Sequence, residues 1–237
     1  MTRQKRTYTD ISGILLVDKD KGWTSFDAVN LVKRRFNIKK VGHCGTLDPL
    51  ATGLLVLVLG KATKLAATFS GADKSYEASI KLGQKTSTLD AEGEVTEEKD
   101  CSFVTQEKVL EVLQGFKDEQ FQIPPMFSAI KKDGVPLYKL ARKGKIIERE
   151  PRKITIHELE LTSFNLPLFS INVHCSKGTY IRTLADDIGT KLTCGAYLNS
   201  LRRTASGEFD ISKSNTTETI KKWKIEDLEE QLLMVNG

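Results

Sequence analysis

The chain carries an unbroken apolar run, Leu54–Leu59, which is rich in branched side chains and is bounded by Gly53 and Gly60. Such a run predicts a fully buried strand. In residues 73–83 and 168–175, apolar and polar positions alternate with a period of two, which predicts half-buried strands. Shorter apolar runs predict strands at residues 14–17, 154–156 and 159–161.

Other segments repeat their apolar residues at the 3.6-residue spacing of a helix. The first predicted helix follows a cap at Thr24 or Ser25. Its apolar positions are Phe26, Val29, Val32 and Phe36. Further helices are predicted at residues 60–69, 106–116, 137–143 and 181–188, with one or two more after Ser214. Strands interspersed with helices, without a regular βαβ repeat, predict an α+β fold with a mainly antiparallel sheet.

Length and composition restrict the class of protein without fixing it. The 237 residues are enough for one large domain or two small ones. A formal charge of +5 permits binding to nucleic acid but does not require it. The four cysteines show no close pairing, so a disulfide framework or a zinc site is not expected. Because neither a secretory leader nor a membrane-spanning run is predicted, the expected location is the cytoplasm.

The stretch Gly42–Gly53 lies directly before the buried strand and is the best candidate for a reactive loop. It holds three glycines, one histidine, one acid and one proline. Pro49 favours an extended backbone at Asp48, so that carboxylate is carried on a stiffened segment beside a rigid strand. On these residues alone a plainer interpretation stays open. Asp-Pro is a common turn initiator, and His43 fits equally well as a loop or core histidine.

The nonamer Gly45-Thr46-Leu47-Asp48-Pro49-Leu50-Ala51-Thr52-Gly53 resembles the catalytic-aspartate motif of the TruB family, the bacterial tRNA pseudouridine synthases that modify the T-arm uridine. Four further stretches are similar to motifs of that family and occur in the same order. They are Lys19–Ser25, Gln122–Gly144, Ser176–Gly189 and Gly195–Gly207. Asp20 stands where the family usually has proline, which lowers the expected rigidity of that loop, and Phe127 stands where tyrosine is common.

The resemblance implies a pseudouridine-synthase fold, with an active-site cleft across a central sheet, and an isomerisation that needs neither metal nor cofactor. It implies that Asp48 is the nucleophile, that Arg182 keeps Asp48 ionised, and that Tyr76 lies against the target base as a stacking face and proton acceptor. The implied substrate-binding residues are His43, Tyr180, Leu201, Lys19, Lys21 and Lys64. Attack of Asp48 on C1′ of the ribose, attack on C6 of the base, and elimination through a glycal all stay open.

The expected organisation is a basic tail at residues 1–10, a catalytic domain at 11–210 and a short helical extension at 211–237. The catalytic domain would include a basic RNA-binding insertion at residues 122–150. Many relatives continue into an RNA-binding PUA domain, for which this chain has no room. The expected partner is the T-arm stem-loop of tRNA, and a monomer is favoured.

Two other classes of function fit parts of the sequence. An N-glycosylase acting on RNA or nucleosides breaks the same C1′–N1 bond, but it needs a second carboxylate to activate water. The motifs around Asp48 contain His, Tyr and Arg but no second acid. An RNA-binding module that has lost catalysis has no need of a nucleophile. Both alternatives are therefore weaker than the synthase.

Overall fold

The computed structural model describes residues 7–234, so residues 1–6 of the predicted basic tail lie outside it. The chain divides into two compact units. The first unit combines the N-terminal segment up to Lys74 with the C-terminal segment from Arg202, and the second unit comprises Ser75–Leu201. Strand β12 begins in the second unit and ends in the first, because it runs from Ala196 to Ser206.

The first unit is built on a mixed sheet. Its strands are β1 (Gly13–Lys19), β2 (Val41–His43), β3 (Thr52–Leu59), the end of β12 (Ala196–Ser206), β13 (Phe209–Asp210) and β14 (Asn215–Thr216). The main order is β14-β1-β3-β12, with β2 paired to β3 and β13 paired to β12. β1 and β3 are antiparallel, from Gly13 opposite Leu59 to Lys19 opposite Gly53. β14 runs parallel to β1, and β12 runs parallel to β3.

The predicted buried strand is confirmed, because every side chain from Leu54 to Leu59 is fully buried. Alternate residues of β3 point to the same face of the sheet. On one face they pack with alternate residues of β1 in a single core cluster. That cluster contains Ile14, Leu16, Cys44, Leu54, Val56, Val58, Ala62 and Phe209. The reactive loop before β3 is thus attached to one of the most rigid elements of the unit.

The helices of the first unit are α1 (Ser25–Arg35), α2 (Ala66–Ser70), α6 (Thr217–Lys222) and α7 (Ile225–Gln231). Thr24 caps α1 in a capping box with Asp27, and these hydrogen bonds from Thr24 lower the pKa of the Asp27 carboxyl. Val29 and Val32 are buried as predicted, but Phe26 is 65% exposed and does not belong to the apolar side. The helix predicted at residues 60–69 is a 3₁₀ helix, Gly60–Leu65, followed by α2.

The second unit contains β4 (Lys74–Leu82), β7 (Asp118–Gln122), β10 (Arg152–Asn165), β11 (Leu168–Cys175) and the start of β12. Their order is β12-β4-β11-β10-β7. Both β11 and β7 are antiparallel to β10. The two strands predicted at 154–156 and 159–161 are parts of the one strand β10. The polar residues between them are accommodated by a register shift between Ile156 and Glu158.

The remaining elements of the second unit are short. They are β5 (Gln84–Thr86), β6 (Val95–Glu98), β8 (Lys131–Lys132), β9 (Val135–Pro136), α3 (Gln106–Gln114), α4 (Leu137–Ala141) and α5 (Ile181–Lys191). Helices α3, α4 and α5 confirm the predicted segments, and Thr105 caps α3. Strands β5 and β6 form a hairpin in which β6 is exposed, but Asp90 between the two strands is buried.

The predicted fold class is confirmed. The chain is α+β, and its strand pairs are mainly antiparallel with two parallel pairs in the first unit. Between residues 7 and 234, no helix is both long enough and apolar enough to cross a membrane.

Candidate active site

The backbone of the two residues that flank Asp48, Leu47 and Pro49, is held by hydrogen bonds. The N–H of Leu47 donates to Ser25 Oγ at 2.8 Å, and Ser25 Oγ donates in return to the Leu47 carbonyl at 3.1 Å. On the other side, the Gly22 N–H donates to the Pro49 carbonyl at 2.8 Å. The Asp48 carbonyl itself accepts the N–H of Ala51 at 3.1 Å. The Asp48 side chain is half-buried, so this loop presents a carboxylate on a backbone held at four points.

The buried side chain of Arg203 binds the backbone at both ends of the same loop. Its side chain is 1% exposed, and its guanidinium donates to the Leu54 carbonyl at 2.7 Å and to the Gly45 carbonyl at 3.1 Å. Gly53 has a φ of +98°, and a Cβ at this position would lie 2.3 Å from the Arg203 carbonyl oxygen. Only glycine permits this close pairing of β3 with β12. The backbone geometry therefore explains Gly53 at the end of the motif.

Lys19 lies at the end of β1. Its side chain is fully buried, and its ammonium donates to the carbonyls of Asp20 at 3.0 Å and Trp23 at 2.6 Å. These contacts direct the ammonium to the turn, and the contact of Lys19 with an RNA phosphate stays a prediction. Lys21, two residues later, is exposed and remains a candidate for phosphate contact.

His43 lies at the end of β2, directly before the reactive loop. Its Nδ1 atom is buried and has no hydrogen-bond partner among the residues that the structure describes. Burial lowers the pKa of His43, and the positive charge of Arg203 lowers it further. The imidazole is therefore neutral at physiological pH, a state suited to stacking in place of a base.

Lys64 is exposed at the end of the 3₁₀ helix that follows β3. It lines a surface pocket of about 270 Å³, together with three other lysines, one aromatic ring and one acid. These neighbours are Tyr8, Asp10, Lys39, Lys40 and Lys61. Such a cluster is suited to a phosphate backbone, and Lys64 remains a candidate RNA contact.

Arg182, in the first turn of α5, is 4% exposed and is bound on three sides. Its Nη atoms donate to the carbonyls of Thr88 at 3.1 Å and Phe127 at 2.6 Å. Its Nε lies 3.6 Å from a carboxylate oxygen of Asp90, which is equally buried. Asp90 was missed in the sequence because an acid in a polar, glycine-punctuated stretch resembles a solvated loop residue.

The remaining predicted site residues also belong to the second unit. Tyr180 is the N-cap residue of α5, and Gln122 fixes its backbone by accepting from the Tyr180 N–H at 2.8 Å and donating to the Tyr180 carbonyl at 3.1 Å. Tyr76 on β4 and Leu201 on β12 are both half-buried. The predicted residues therefore fall into two sets. Arg182, Tyr76, Tyr180 and Leu201 are in the second unit, whereas Asp48, His43, Lys19, Lys21 and Lys64 are in the first.

Asp187 on α5 gives a prediction for the pH dependence of stability. Burial and the neighbouring Asp186 carboxylate raise the pKa of Asp187 to about 6. The unfolded chain loses this proton near pH 4, so the folded state becomes less stable as the pH rises from about 4 to about 6. Asp187 is partly exposed, and solvent screens part of this effect. We therefore expect Asp187→Asn to stabilise the protein by about 1–2 kcal/mol at pH 7.5 and to leave it nearly unchanged at pH 4.

Urea unfolding of the two chains at several pH values measures this difference. Glu230→Gln, which alters an exposed acid on α7, is the matched control. A stability difference between Asp187→Asn and the parent that does not grow between pH 4 and pH 6 would contradict the prediction.

Family models match both parts of the chain. Residues 33–181 match the N-terminal domain of the TruB family of pseudouridylate synthases. Residues 182–235 match the C-terminal domain of tRNA pseudouridylate synthase B. Within residues 7–234, no group of three or more His, Cys, Asp or Glu side chains is arranged to hold a metal ion.

Similar proteins agree with these models. A tRNA pseudouridine synthase B from Opitutus terrae is 46% identical over 226 residues, which cover 95% of this chain and 94% of the relative. One from Azoarcus sp. is 54% identical over 211 residues, which cover 89% of this chain and 70% of the relative. A solved Cbf5-Nop10-Gar1 complex contains a chain of the same fold, with 30% identity and a TM-score of 0.71. The match covers 92% of this chain but only 57% of that one.

The α+β architecture and the order of the motifs are those of a pseudouridine synthase. The chain belongs to the TruB family of these enzymes. The predicted class of enzyme, an isomerase that forms pseudouridine in tRNA, is confirmed by this membership.

Proposed function

We propose that the chain isomerises the T-arm uridine of tRNA, U55, and that Asp48 is the nucleophile. The main support for this proposal is the set of hydrogen bonds that holds the Asp48 loop in place. Backbone hydrogen bonds hold Leu47 and Pro49 on either side of Asp48, and buried Arg203 holds the loop ends. A carboxylate that serves only to start a turn does not require this support, whereas a nucleophile must be held within a fraction of an ångström.

The reaction requires that one glycosidic bond is replaced by another. The Asp48 carboxylate attacks C1′ of the ribose, the C1′–N1 bond breaks, and the uracil leaves with the electron pair on N1. After the base rotates, C5 attacks C1′ and displaces Asp48. The proton on C5 passes to a base, for which Tyr76 is the proposed acceptor, and N1 takes up a proton. Product and substrate are isomers, so the atoms balance without a co-reactant.

The target uridine must leave the RNA stack before Asp48 can reach its ribose, at a cost of a few kcal/mol. His43, neutral because its pKa is lowered, is proposed to fill the vacated space with its ring. Tyr180 and Leu201 are proposed to line the base pocket. Lys21 and Lys64, both exposed, are proposed to bind phosphates.

A tritium-release assay tests the substrate and the reaction together. The chain is mixed in excess with a T-arm stem-loop RNA that carries tritium on C5 of its uridines. We expect release of one tritium per RNA and pseudouridine at position 55. The matched RNA with cytidine at position 55 is expected to release none.

Two results would contradict the proposal. Release of free uracil would indicate an N-glycosylase, which breaks the bond without rejoining it. Equal release from the RNA with cytidine at position 55 would mean that another uridine is the target.

A further inference from the structure

The turn that follows β1 supports the Asp48 loop. Within this turn the Trp23 N–H donates to the Asp20 carbonyl at 3.4 Å, and Gly22 has a φ of +83°. The N–H of Gly22 donates to the Pro49 carbonyl, one residue beyond Asp48. A shift in the backbone of this turn would therefore move Pro49, the residue that follows Asp48.

Strand β14 brings helix α6 beside the same turn. β14 is parallel to the end of β1, with Val17 opposite Asn215 and Asp18 opposite Thr216. The next residue, Thr217, begins α6 and is fully buried. Its hydroxyl donates a hydrogen bond to the carboxylate of Asp20. The register of the two strands thus explains why a C-terminal threonine meets a residue encoded far earlier in the chain.

A second contact joins α6 to the other end of the turn. Lys221 lies one helical turn after Thr217 and therefore on the same face of α6. Its ammonium is 5.0 Å from the centroid of the Trp23 ring, a cation–π distance. Helix α6 consequently contacts the turn at both Asp20 and Trp23.

We propose that Asp20 and Thr217 are a positioning pair, which fixes the turn after β1 and, through Gly22, holds the Asp48 loop in its reactive orientation. This hydrogen bond ties the side chain of Asp20 to α6 and so restricts the backbone of the turn. The inference rests on the proposed role of Asp48 as nucleophile.

Single-turnover kinetics on T-arm RNA test the positioning role. Asp20→Ala and Thr217→Val each remove the hydrogen bond, and we expect each to lower the maximal rate about tenfold. The RNA concentration at half-maximal rate should change less than about twofold, because neither residue is proposed to touch RNA. The double variant should be no slower than the slower single variant, because both changes remove the same contact.

The variant Asp20→Asn shows whether the hydrogen bond of Asp20 or its negative charge is required. Its amide oxygen still accepts the Thr217 hydroxyl, so we expect it to retain the parent rate within about threefold. Lys222→Gln is the matched control for α6, because it changes an exposed side chain of this helix and leaves its cap and Thr217 in place. A loss in Asp20→Asn as large as in Asp20→Ala would overturn the inference. Additive losses in the double variant would also overturn it.

Amide hydrogen exchange tests the same inference without using activity. In Asp20→Ala and Thr217→Val, peptides that cover residues 18–24 and 45–53 should exchange faster than in the parent, because the N–H groups of Gly22 and Ala51 lose their fixed acceptors. In Lys222→Gln neither of these peptides should exchange faster. Unchanged exchange in residues 45–53 would overturn the positioning role. The proposed function would be refuted if the parent chain released no tritium. Faster exchange in Asp20→Ala and Thr217→Val would in that case still show that the pair fixes the loop at residues 45–53.

Discussion

Replacement of Asp48 by asparagine is expected to lower the single-turnover rate of tritium release by at least about 10⁴-fold, because an amide cannot form the covalent bond to C1′. The two side chains have nearly the same shape, and the neighbours Leu47 and Pro49 are held through backbone atoms. The fold and the affinity for T-arm RNA should therefore be preserved.

Tritium release and filter binding on the same preparation separate these two effects. Glu230→Gln, which alters an exposed acid on α7 of the first unit, is the matched control and should keep the parent rate. A rate for Asp48→Asn within about tenfold of the parent would exclude Asp48 as the nucleophile. Loss of RNA affinity together with loss of rate would indicate that Asp48 acts in binding.

Replacement of Arg182 by methionine is expected to destabilise the protein by about 3 kcal/mol, the largest effect on stability that we predict. The change leaves the buried Asp90 carboxylate without its cation, and it leaves the carbonyls of Thr88 and Phe127 without the guanidinium donors. Asp90→Asn in the same chain removes the unpaired charge. We expect the double variant to be more stable than Arg182→Met alone by at least about 1 kcal/mol.

Urea unfolding of the four chains of this double-mutant cycle measures both quantities. Lys153→Met breaks an ion pair with Glu119 in which both side chains are more than half exposed, and it is the matched control. It should leave the free energy of unfolding nearly unchanged. If Asp90→Asn destabilises the Arg182→Met chain further, the interaction between Arg182 and Asp90 is not the electrostatic pair that the geometry indicates.

The pattern of apolar residues predicts the longer helices and the strands β1, β3, β4, β10 and β11, but it gives no strand at β12. Leu54–Leu59 forms a buried strand as expected, since a run of apolar branched residues between glycines has few other solutions. Thr24 caps α1 because its local signal, an acid three residues later, acts within one turn of helix. Phe26 was assigned wrongly to the buried side, because helical spacing alone does not define which edge of the apolar stripe meets the core.

The site was predicted less completely, because its support comes from residues that are distant in sequence. Asp48 and Arg182 could be proposed from their motifs, but the partner of Arg182, Asp90, gives no local signal. The surroundings of Lys19 show the same limit of sequence-based prediction. Spacing places its charge near a predicted loop, whereas the carbonyls of Asp20 and Trp23 that enclose it are set by the turn geometry. The sequence gives no sign that Asp20 is held by Thr217, and this contact affects the rigidity of the turn after β1.

The first unit is assembled from the two ends of the chain, and this has a consequence for synthesis on the ribosome. The loop that carries Asp48 is translated early, but its internal brace, Arg203, and the partner of Asp20, Thr217, are translated only after residues 75–201. Domains that are contiguous in sequence fold as soon as they emerge, which this unit cannot do. A nascent chain therefore contains Asp48 long before it contains the residues that brace its loop, and the loop can be held in place only after residues 203 and 217 have been synthesised.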